Sequence, residues 1–140
     1  MTCAPPPNGW YPRRGDVYFF RLDKLRPAVV VSTDSVNRRS RDICILPLST
    51  SVKNVFFLFR PRLAAGEVQK GRDSWVKCDQ PRLHYRHDAT YPPVVTLSAK
   101  SMQIIDAALM DYLGIHHPRS NHHNQPGGGG GPAERKWAGE

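Results

Sequence analysis

Three short apolar runs in the first fifty residues constrain the fold of this chain more than any other feature. Residues 17–22, 28–32 and 43–48 are rich in β-branched and aromatic side chains, and turn-forming residues bound each run. No segment between them has a helical period. The pattern predicts consecutive β-strands, and the unbroken apolar character of the second run is typical of a strand covered on both faces.

Three further segments, residues 56–59, 74–79 and 94–96, extend the predicted sheet to six short strands. Pro47 lacks a backbone N–H, which places the third strand near a sheet edge or a bulge. Residues 33–42 are polar and predict an exposed loop. Six strands without intervening helices favour a mainly β fold, a small antiparallel barrel.

One later segment, residues 99–113, has helical periodicity. Ser98 is a suitable N-cap, Gly114 a suitable C-cap glycine, and Leu97 can pack onto the first turn. An amphipathic helix of this kind packs its apolar stripe on the sheet. The predicted stripe consists of Met102, Ile105, Leu109, Tyr112 and Leu113.

The two ends of the chain differ from its middle. Residues 1–12 are proline-rich and predict a flexible N-terminus, residues 13–115 predict one folded domain, and residues 116–140 predict a disordered tail. Within the tail, His116, His117, His122 and His123 lack the fixed surroundings that a metal site needs. The five glycines at 127–131 have no strand before them and no Lys-Ser/Thr after them, so they predict no phosphate-binding loop.

Net charge gives the first indication of a partner. The chain has 20 Lys and Arg against 12 Asp and Glu, a net charge of +8, and 17 of the basic and 10 of the acidic residues lie in residues 1–115. A basic domain attracts polyanions such as nucleic acid, or an acidic protein, although charge alone can simply aid solubility. Three cysteines form no even disulfide set, so we expect a reducing cytoplasm. No apolar run approaches about 18 residues, so we expect no membrane span.

The fifth predicted strand carries an alternating pattern. Trp75, Lys77 and Asp79 fall on one face, and the smaller Ser74, Val76 and Cys78 fall on the other. An aromatic ring beside a charged pair can stack a base and contact a phosphate or hydroxyl. By spacing alone, an ordinary solvated face with a Lys77–Asp79 surface pair explains the pattern better.

Two predicted strand ends carry groups that bind phosphate. Arg26 stands before the second strand with its backbone restrained by Pro27, and Ser49, Thr50 and Ser51 follow the third strand. A guanidinium is a planar fork, and hydroxyls can donate to phosphate oxygens. If the fold brings them together, these groups could clamp a phosphodiester.

Several motifs, in order and spacing, resemble the PemK/MazF family of toxins from bacterial toxin-antitoxin systems. The similarity extends over residues 13–115, and its motifs are GDVY at 15–18, RPAVVVS at 26–32, PLST at 47–50, DS at 73–74 and CDQPR at 78–82. The resemblance implies an SH3-like barrel with a C-terminal helix. It also implies a cytoplasmic homodimer that needs no metal or other cofactor.

The activity that the resemblance implies is endoribonuclease cleavage of single-stranded mRNA. Attack of a ribose 2′-OH on the adjacent phosphate would give 2′,3′-cyclic phosphate and 5′-OH ends. A small acidic antitoxin would neutralise the toxin, and operator DNA would be contacted only through that antitoxin.

The resemblance also assigns roles to individual residues. Arg26 matches an arginine implicated in proton transfer and transition-state stabilisation, and Ser49 falls where most members have Thr. Asp79 matches a carboxylate proposed as general base in one branch, and Lys77 stands where that branch has an arginine. The expected RNA-binding residues are Thr50, Phe57, Asp73, Trp75, Gln80 and Arg82.

Two departures from the family pattern keep other functions open. Many members have a long glycine-rich loop between the first two strands, whereas residues 22–26 leave almost none here, and Lys77 cannot make an arginine's bidentate contact. A catalytically silent module that binds RNA or antitoxin is therefore one alternative. A toxin of the same fold that acts on a protein such as a topoisomerase is another.

Overall fold

A computed structural model of the protein describes residues 5–51 and 59–115. Most of the strand predicted at 56–59, and all of the tail beyond residue 115, lie outside these ranges. Within them the elements are β1 (Asp16–Arg21), β2 (Leu25–Val30), α1 (Asp34–Arg39), β3 (Asp42–Ser49), β4 (Arg62–Leu63), β5 (Ser74–Val76), β6 (Arg82–Tyr85), β7 (Ala89–Thr96) and α2 (Ala99–Leu113).

The strands form one curled antiparallel sheet, a half-barrel, in the order β4-β5-β3-β2-β1-β7, with β6 pairing beside β5 on β3. The mainly β fold with one C-terminal helix is confirmed. The strand inventory differs from the prediction, because β4 and β6 were not expected and β7 is longer than residues 94–96. The fifth strand ends at Val76 rather than at residue 79.

Pro47 is not at a sheet edge, so the first of the two positions predicted for it is wrong. It pairs with Ala28 of β2, and on the other side its carbonyl accepts a hydrogen bond from the Lys77 N–H at 2.9 Å. That other side of β3 changes partner, from β6 at residues 42–45 to β5 at residues 48–49. Because the N–H and C=O of a strand residue point the same way, the missing N–H of Pro47 falls where the two partner strands meet.

The sheet is apolar on both faces. Val17, Val29 and Leu46 are fully buried in a cluster that includes Ile105 of α2, so this face packs against the helix. The other face forms a second buried cluster of Tyr18, Phe20, Ala28, Val30, Ile43, Ile45 and Ala89. Adjacent residues of β2 thus enter opposite clusters, which confirms that this strand is covered on both sides.

Helix α2 has the predicted caps. The Ser98 hydroxyl accepts a hydrogen bond from the Ser101 N–H at 3.1 Å, and Gly114 adopts the left-handed conformation at φ 75°. Glu67, from the loop before β5, adds a second cap: its carboxylate accepts from the Ser98 N–H at 3.0 Å and from the Ser101 hydroxyl at 2.7 Å. The loop is therefore attached to the first turn of the helix.

The predicted apolar stripe of α2 is only partly right. Met102, Ile105 and Leu109 pack on the first cluster, but Tyr112 and Leu113 are 42% and 53% exposed. The last turn of the helix extends past the cluster, and the Tyr112 ring packs instead edge-on against Phe59, with ring centroids 5.4 Å apart.

Residues 33–42 are not simply an exposed loop, because they contain helix α1. Asn37 is fully buried, and its side-chain amide donates to the Ser32 carbonyl at 2.9 Å. The Asp34 carboxylate accepts from the Arg14 N–H at 2.7 Å. Polar side chains thus satisfy backbone groups here, which the polar composition alone did not reveal.

A buried carboxylate joins β1 to β7. Asp16 is 9% exposed and accepts hydrogen bonds from the fully buried Tyr18 hydroxyl at 2.8 Å and from the Thr96 hydroxyl at 2.6 Å. Burial and the adjacent carboxylate raise the pKa of Tyr18 well above its usual value, so this hydroxyl remains a donor.

We expect Asp16→Ala to lower the free energy of unfolding by about 2 to 3 kcal/mol, because it leaves the buried Tyr18 hydroxyl without its acceptor. Chemical denaturation measures the loss. Asp42→Ala, which removes a carboxylate paired with exposed Arg41, should cost about 0.5 kcal/mol or less. The double variant Asp16→Ala/Tyr18→Phe should recover part of the loss; no recovery would contradict this explanation.

Candidate functional site

Arg26 lies inside β2, opposite Phe20 of β1, rather than in the connection before the strand. Its Nε and Nη2 donate to the two carboxylate oxygens of Asp23 at 2.8 and 3.2 Å. The paired guanidinium holds the pKa of Asp23 below its usual range, and the carboxylate raises the pKa of Arg26. One edge of the guanidinium is thus fixed by Asp23, which leaves Nη1 for an anion.

The phosphate-binding groups predicted at two strand ends line one cavity. Arg26, Ser49 and Thr50 border a space of about 400 Å³. Strand β2 begins and β3 ends at the same end of the sheet because the two strands pair antiparallel. The lining of this cavity also includes Val68 and Gln69 of the loop that Glu67 attaches to α2.

The Ser49 hydroxyl already has partners inside the protein. It donates to the Ser51 carbonyl at 2.7 Å and accepts from the Ser51 N–H at 3.1 Å. A phosphate oxygen could take the place of the carbonyl as its acceptor. Thr50, next along the chain, is exposed and lines the same cavity.

The alternation predicted for residues 74–79 is confirmed. Ser74, Val76 and Cys78 are buried, and Trp75, Lys77 and Asp79 are partly exposed. Trp75 pairs with Ser49 across the sheet, so it neighbours a residue that lines the cavity. Burial raises the pKa of the Cys78 thiol to about 12, so Cys78 is not a nucleophile at neutral pH.

Asp79 pairs with Arg60 rather than with Lys77. Arg60 Nε and Nη2 donate to the two oxygens of Asp79 at 2.9 and 3.0 Å, and the two side chains are only 12% and 11% exposed. The sequence reasoning did not identify Arg60. Its only signal was an arginine directly after the apolar stretch at 56–59, and no spacing rule connects it to residue 79.

Lys77 lies among several charged groups. Its pKa is lowered, first by burial and then by repulsion from Arg60 and Arg26, while Asp79 acts in the opposite direction. Arg82 adds a smaller repulsion. Lys77 and Arg26, which the sequence placed on separate strands, are therefore close enough to interact, and an ammonium with a lowered pKa is a better proton donor than an ordinary lysine.

The other expected RNA-binding residues have varied surroundings. Asp73 pairs with Arg62 at 3.6 Å, and Gln80 and Arg82 are exposed in and after the turn that follows Lys77. Phe57 lies outside the described residues. Residues 5–51 and 59–115 contain no group of three His, Cys, Asp or Glu side chains that could hold a metal ion, and none of their helices is long and apolar enough to cross a membrane.

Comparison with protein families gives one clear match. Residues 13–113 match the model of the PemK-like, MazF-like toxins of type II toxin-antitoxin systems. No curated protein matches the chain.

Solved structures of similar fold agree with the family match. An endoribonuclease from a mycobacterial species is 21% identical, with a TM-score of 0.67 over 80% of this chain and 100% of that one. A second mycobacterial endoribonuclease, in complex with its cognate antitoxin, is 22% identical, with a TM-score of 0.66 over 76% of this chain and 99% of that one. A MazE-MazF structure from Deinococcus radiodurans is 19% identical, with a TM-score of 0.64 over 76% of this chain and 99% of that one. At these identities the likeness shows the fold.

We expect the charges around Lys77 to move its pKa in opposite directions. Arg60→Gln should raise the pKa because it removes a repelling cation, and Asp79→Asn should lower it because it removes an attracting anion. NMR titration of ¹³C-labelled lysine measures both shifts, with Lys77→Arg used to assign the resonance. Shifts in the same direction, in variants whose circular dichroism is unchanged, would show that Lys77 does not sense these groups.

Proposed function

The chain belongs to the PemK-like, MazF-like toxins of type II toxin-antitoxin systems, and on that premise we propose that it is an endoribonuclease acting on single-stranded RNA. The observation that carries the proposal is the shared cavity of Arg26, Ser49 and Thr50, with Lys77 in electrostatic range of Arg26. Similar folds described as endoribonucleases support it.

The proposed reaction is an internal transesterification. The ribose 2′-oxygen forms a bond to phosphorus, the bond from phosphorus to the 5′-oxygen breaks, and the products are a 2′,3′-cyclic phosphate and a 5′-hydroxyl. The reaction needs a base for the 2′-OH, positive charge for the phosphorane and an acid for the leaving oxygen.

The residues of the site can fill these three roles. The free edge of the Arg26 guanidinium stabilises the phosphorane charge, and Ser49 or Thr50 donates to a non-bridging oxygen. Asp79, held in orientation by Arg60, accepts the 2′-OH proton, and Lys77 delivers a proton to the 5′-oxygen. All the positive charge in this scheme comes from side chains, so no metal ion is required.

Two partners complete the proposal. The active form is a homodimer, as the resemblance implies, and an acidic antitoxin segment neutralises it. Guanidinium and ammonium groups that bind phosphate also bind carboxylates, so antitoxin carboxylates would lie over Arg26 and Lys77. An endoribonuclease of this fold solved in complex with its cognate antitoxin supports an antitoxin as partner.

We expect purified protein to cleave RNA in the presence of EDTA and to leave cyclic-phosphate 3′ ends. Arg26→Ala should slow cleavage about a hundredfold or more, and Arg26→Lys, which keeps the charge but not the fork, should slow it less. Arg72→Ala, at an exposed arginine, is the control. A folded Arg26→Ala variant with an unchanged rate would assign catalysis to Asp79 and Lys77, and cleavage that requires a divalent ion would refute the scheme.

We also expect antitoxin and RNA to exclude each other, with both affinities weakening as salt rises. A competition titration with a 2′-O-methyl RNA, which lacks the attacking hydroxyl, measures this. If RNA affinity stays the same at saturating antitoxin, the two ligands occupy separate sites. If the RNA binds competitively but natural RNA is not cleaved, the protein is the catalytically silent binding module.

A further inference from the structure

A second basic surface lies around α1, away from the cavity. We call it the α1 surface. Its members are arginines and tyrosines from the N-terminal segment, from α1 and its C-terminal end, and from the end of β6: Tyr11, Arg13, Arg38, Arg39, Arg41, Tyr85 and Arg86.

Cations and rings alternate along the α1 surface. The Arg13 and Arg38 guanidinium carbons lie 4.8 and 5.8 Å from the centroid of the Tyr11 ring. The Arg41 guanidinium carbon lies 4.7 Å from the centroid of the Tyr85 ring. Stacking on rings holds these guanidiniums in place while their N–H groups remain available to an anion.

Arg86 connects the C-terminal end of α1 to the end of β6 within this surface. Its Nη1 donates to the carbonyls of Asn37 and Arg38 at 2.8 and 2.6 Å, and its backbone N–H donates to the Arg41 carbonyl at 3.0 Å. Arg86 thus binds the carbonyls at the C-terminal end of α1, where a cation is favourable. The C-terminal end of α1 is thereby attached to the residue that follows β6.

Few of the positive charges here are neutralised within the described residues. Asp42 pairs with Arg41 at 3.3 Å, with side chains 42% and 75% exposed, which is a weak contact. The Asp34 carboxylate accepts hydrogen bonds from the Arg14 N–H and the Asn37 amide, and the Asp88 carboxylate pairs with His84, so neither neutralises an arginine of this surface. The exposed guanidiniums of Arg38 and Arg39 therefore keep the surface strongly positive.

The α1 surface and the cavity lie at opposite ends of the same strands. Helix α1 connects the end of β2 to the start of β3, whereas Arg26 is near the start of β2 and Ser49 ends β3. Seven steps separate Asp42 from Ser49, which at strand rise is about 23 Å. An RNA only a few nucleotides long cannot contact both places.

We propose that the α1 surface is a second contact site for single-stranded RNA, which holds the substrate strand beyond the segment that is cut. The proposal rests on the proposed function. Guanidiniums spaced between aromatic rings suit a strand in which phosphates alternate with flat bases, and such contacts are independent of sequence. An acidic peptide would use the cations but has no bases to stack on the guanidinium planes that Tyr11 and Tyr85 hold.

The test compares long and short RNA on matched variants. The triple variant Arg38→Gln/Arg39→Gln/Arg41→Gln removes three exposed charges from the α1 surface and leaves Arg86 in place. Lys70→Gln/Arg72→Gln/Lys100→Gln removes three exposed charges elsewhere. The probes are 2′-O-methyl oligouridylates of about 3 nucleotides, which is too short to reach both places, and of about 30 nucleotides, which exceeds the site sizes of single-strand binding folds.

We expect the α1 triple variant to bind the long probe about tenfold more weakly or worse. The slope of log affinity against log salt concentration should fall in magnitude by about two, because each lost phosphate contact contributes about 0.7. Its affinity for the short probe and its cleavage of a short RNA should be unchanged. The control variant should keep the wild-type ratio of long-probe to short-probe affinity.

If the α1 triple variant keeps the wild-type ratio of long-probe to short-probe affinity and melts at the wild-type temperature, the proposal is overturned. A variant that loses affinity for polyglutamate of about 20 residues but not for the long RNA would also overturn it, because the surface would then serve an acidic peptide. Absence of RNA cleavage by the wild type would refute the proposed function instead, and the long-probe measurement would remain informative because it requires no cleavage.

Discussion

Strand β3 pairs with three other strands, and the rest of the structure depends on that arrangement. One side pairs with β2 along residues 45–47, and the other side pairs first with β6 and then with β5. The change of partner coincides with Pro47, whose backbone offers no N–H to either strand. Because β5 joins there, Trp75 is placed beside Ser49, and the chain then continues to Lys77 and Asp79. The site is therefore a consequence of how one strand divides its hydrogen bonds between two neighbours.

The charged groups of the site differ in how they are held. Arg26 and Arg60 each form a two-point ion pair, with Asp23 and Asp79, and the second pair is nearly buried. Lys77 has no ion pair among the described residues and is in electrostatic range of both arginines. The pairs keep two guanidiniums in fixed orientation, while the lysine is the group whose proton is easiest to remove. A lysine at this position thus provides a titratable group where an arginine would provide a fixed charge.

The sequence was informative where a local pattern has only one structural solution. The apolar runs of β1, β2 and β3, the Ser98 and Gly114 caps and the alternation at residues 74–79 each follow from the chemistry of a few neighbouring residues. The prediction failed for α1, because polar composition does not reveal that Asn37 is buried and hydrogen-bonded to its neighbours Ser32 and Asp34. It failed for Pro47 because a central strand can change partner, and for Tyr112 because a helix can extend past its sheet. Arg60 was missed because a pairing across nineteen residues leaves no local trace.

Glu67 has an effect on the dynamics of the cavity. Its carboxylate binds the first turn of α2 on one side, and on the other its own loop supplies Val68 and Gln69 to the cavity wall. Fraying of the helix N-terminus and retreat of that wall therefore break the same hydrogen bonds. Two segments that share these bonds are expected to open together, and amide hydrogen exchange would then report similar protection for both. The hydrogen bonds of Glu67 thus couple the cavity lining to a helix end whose residues do not line the cavity.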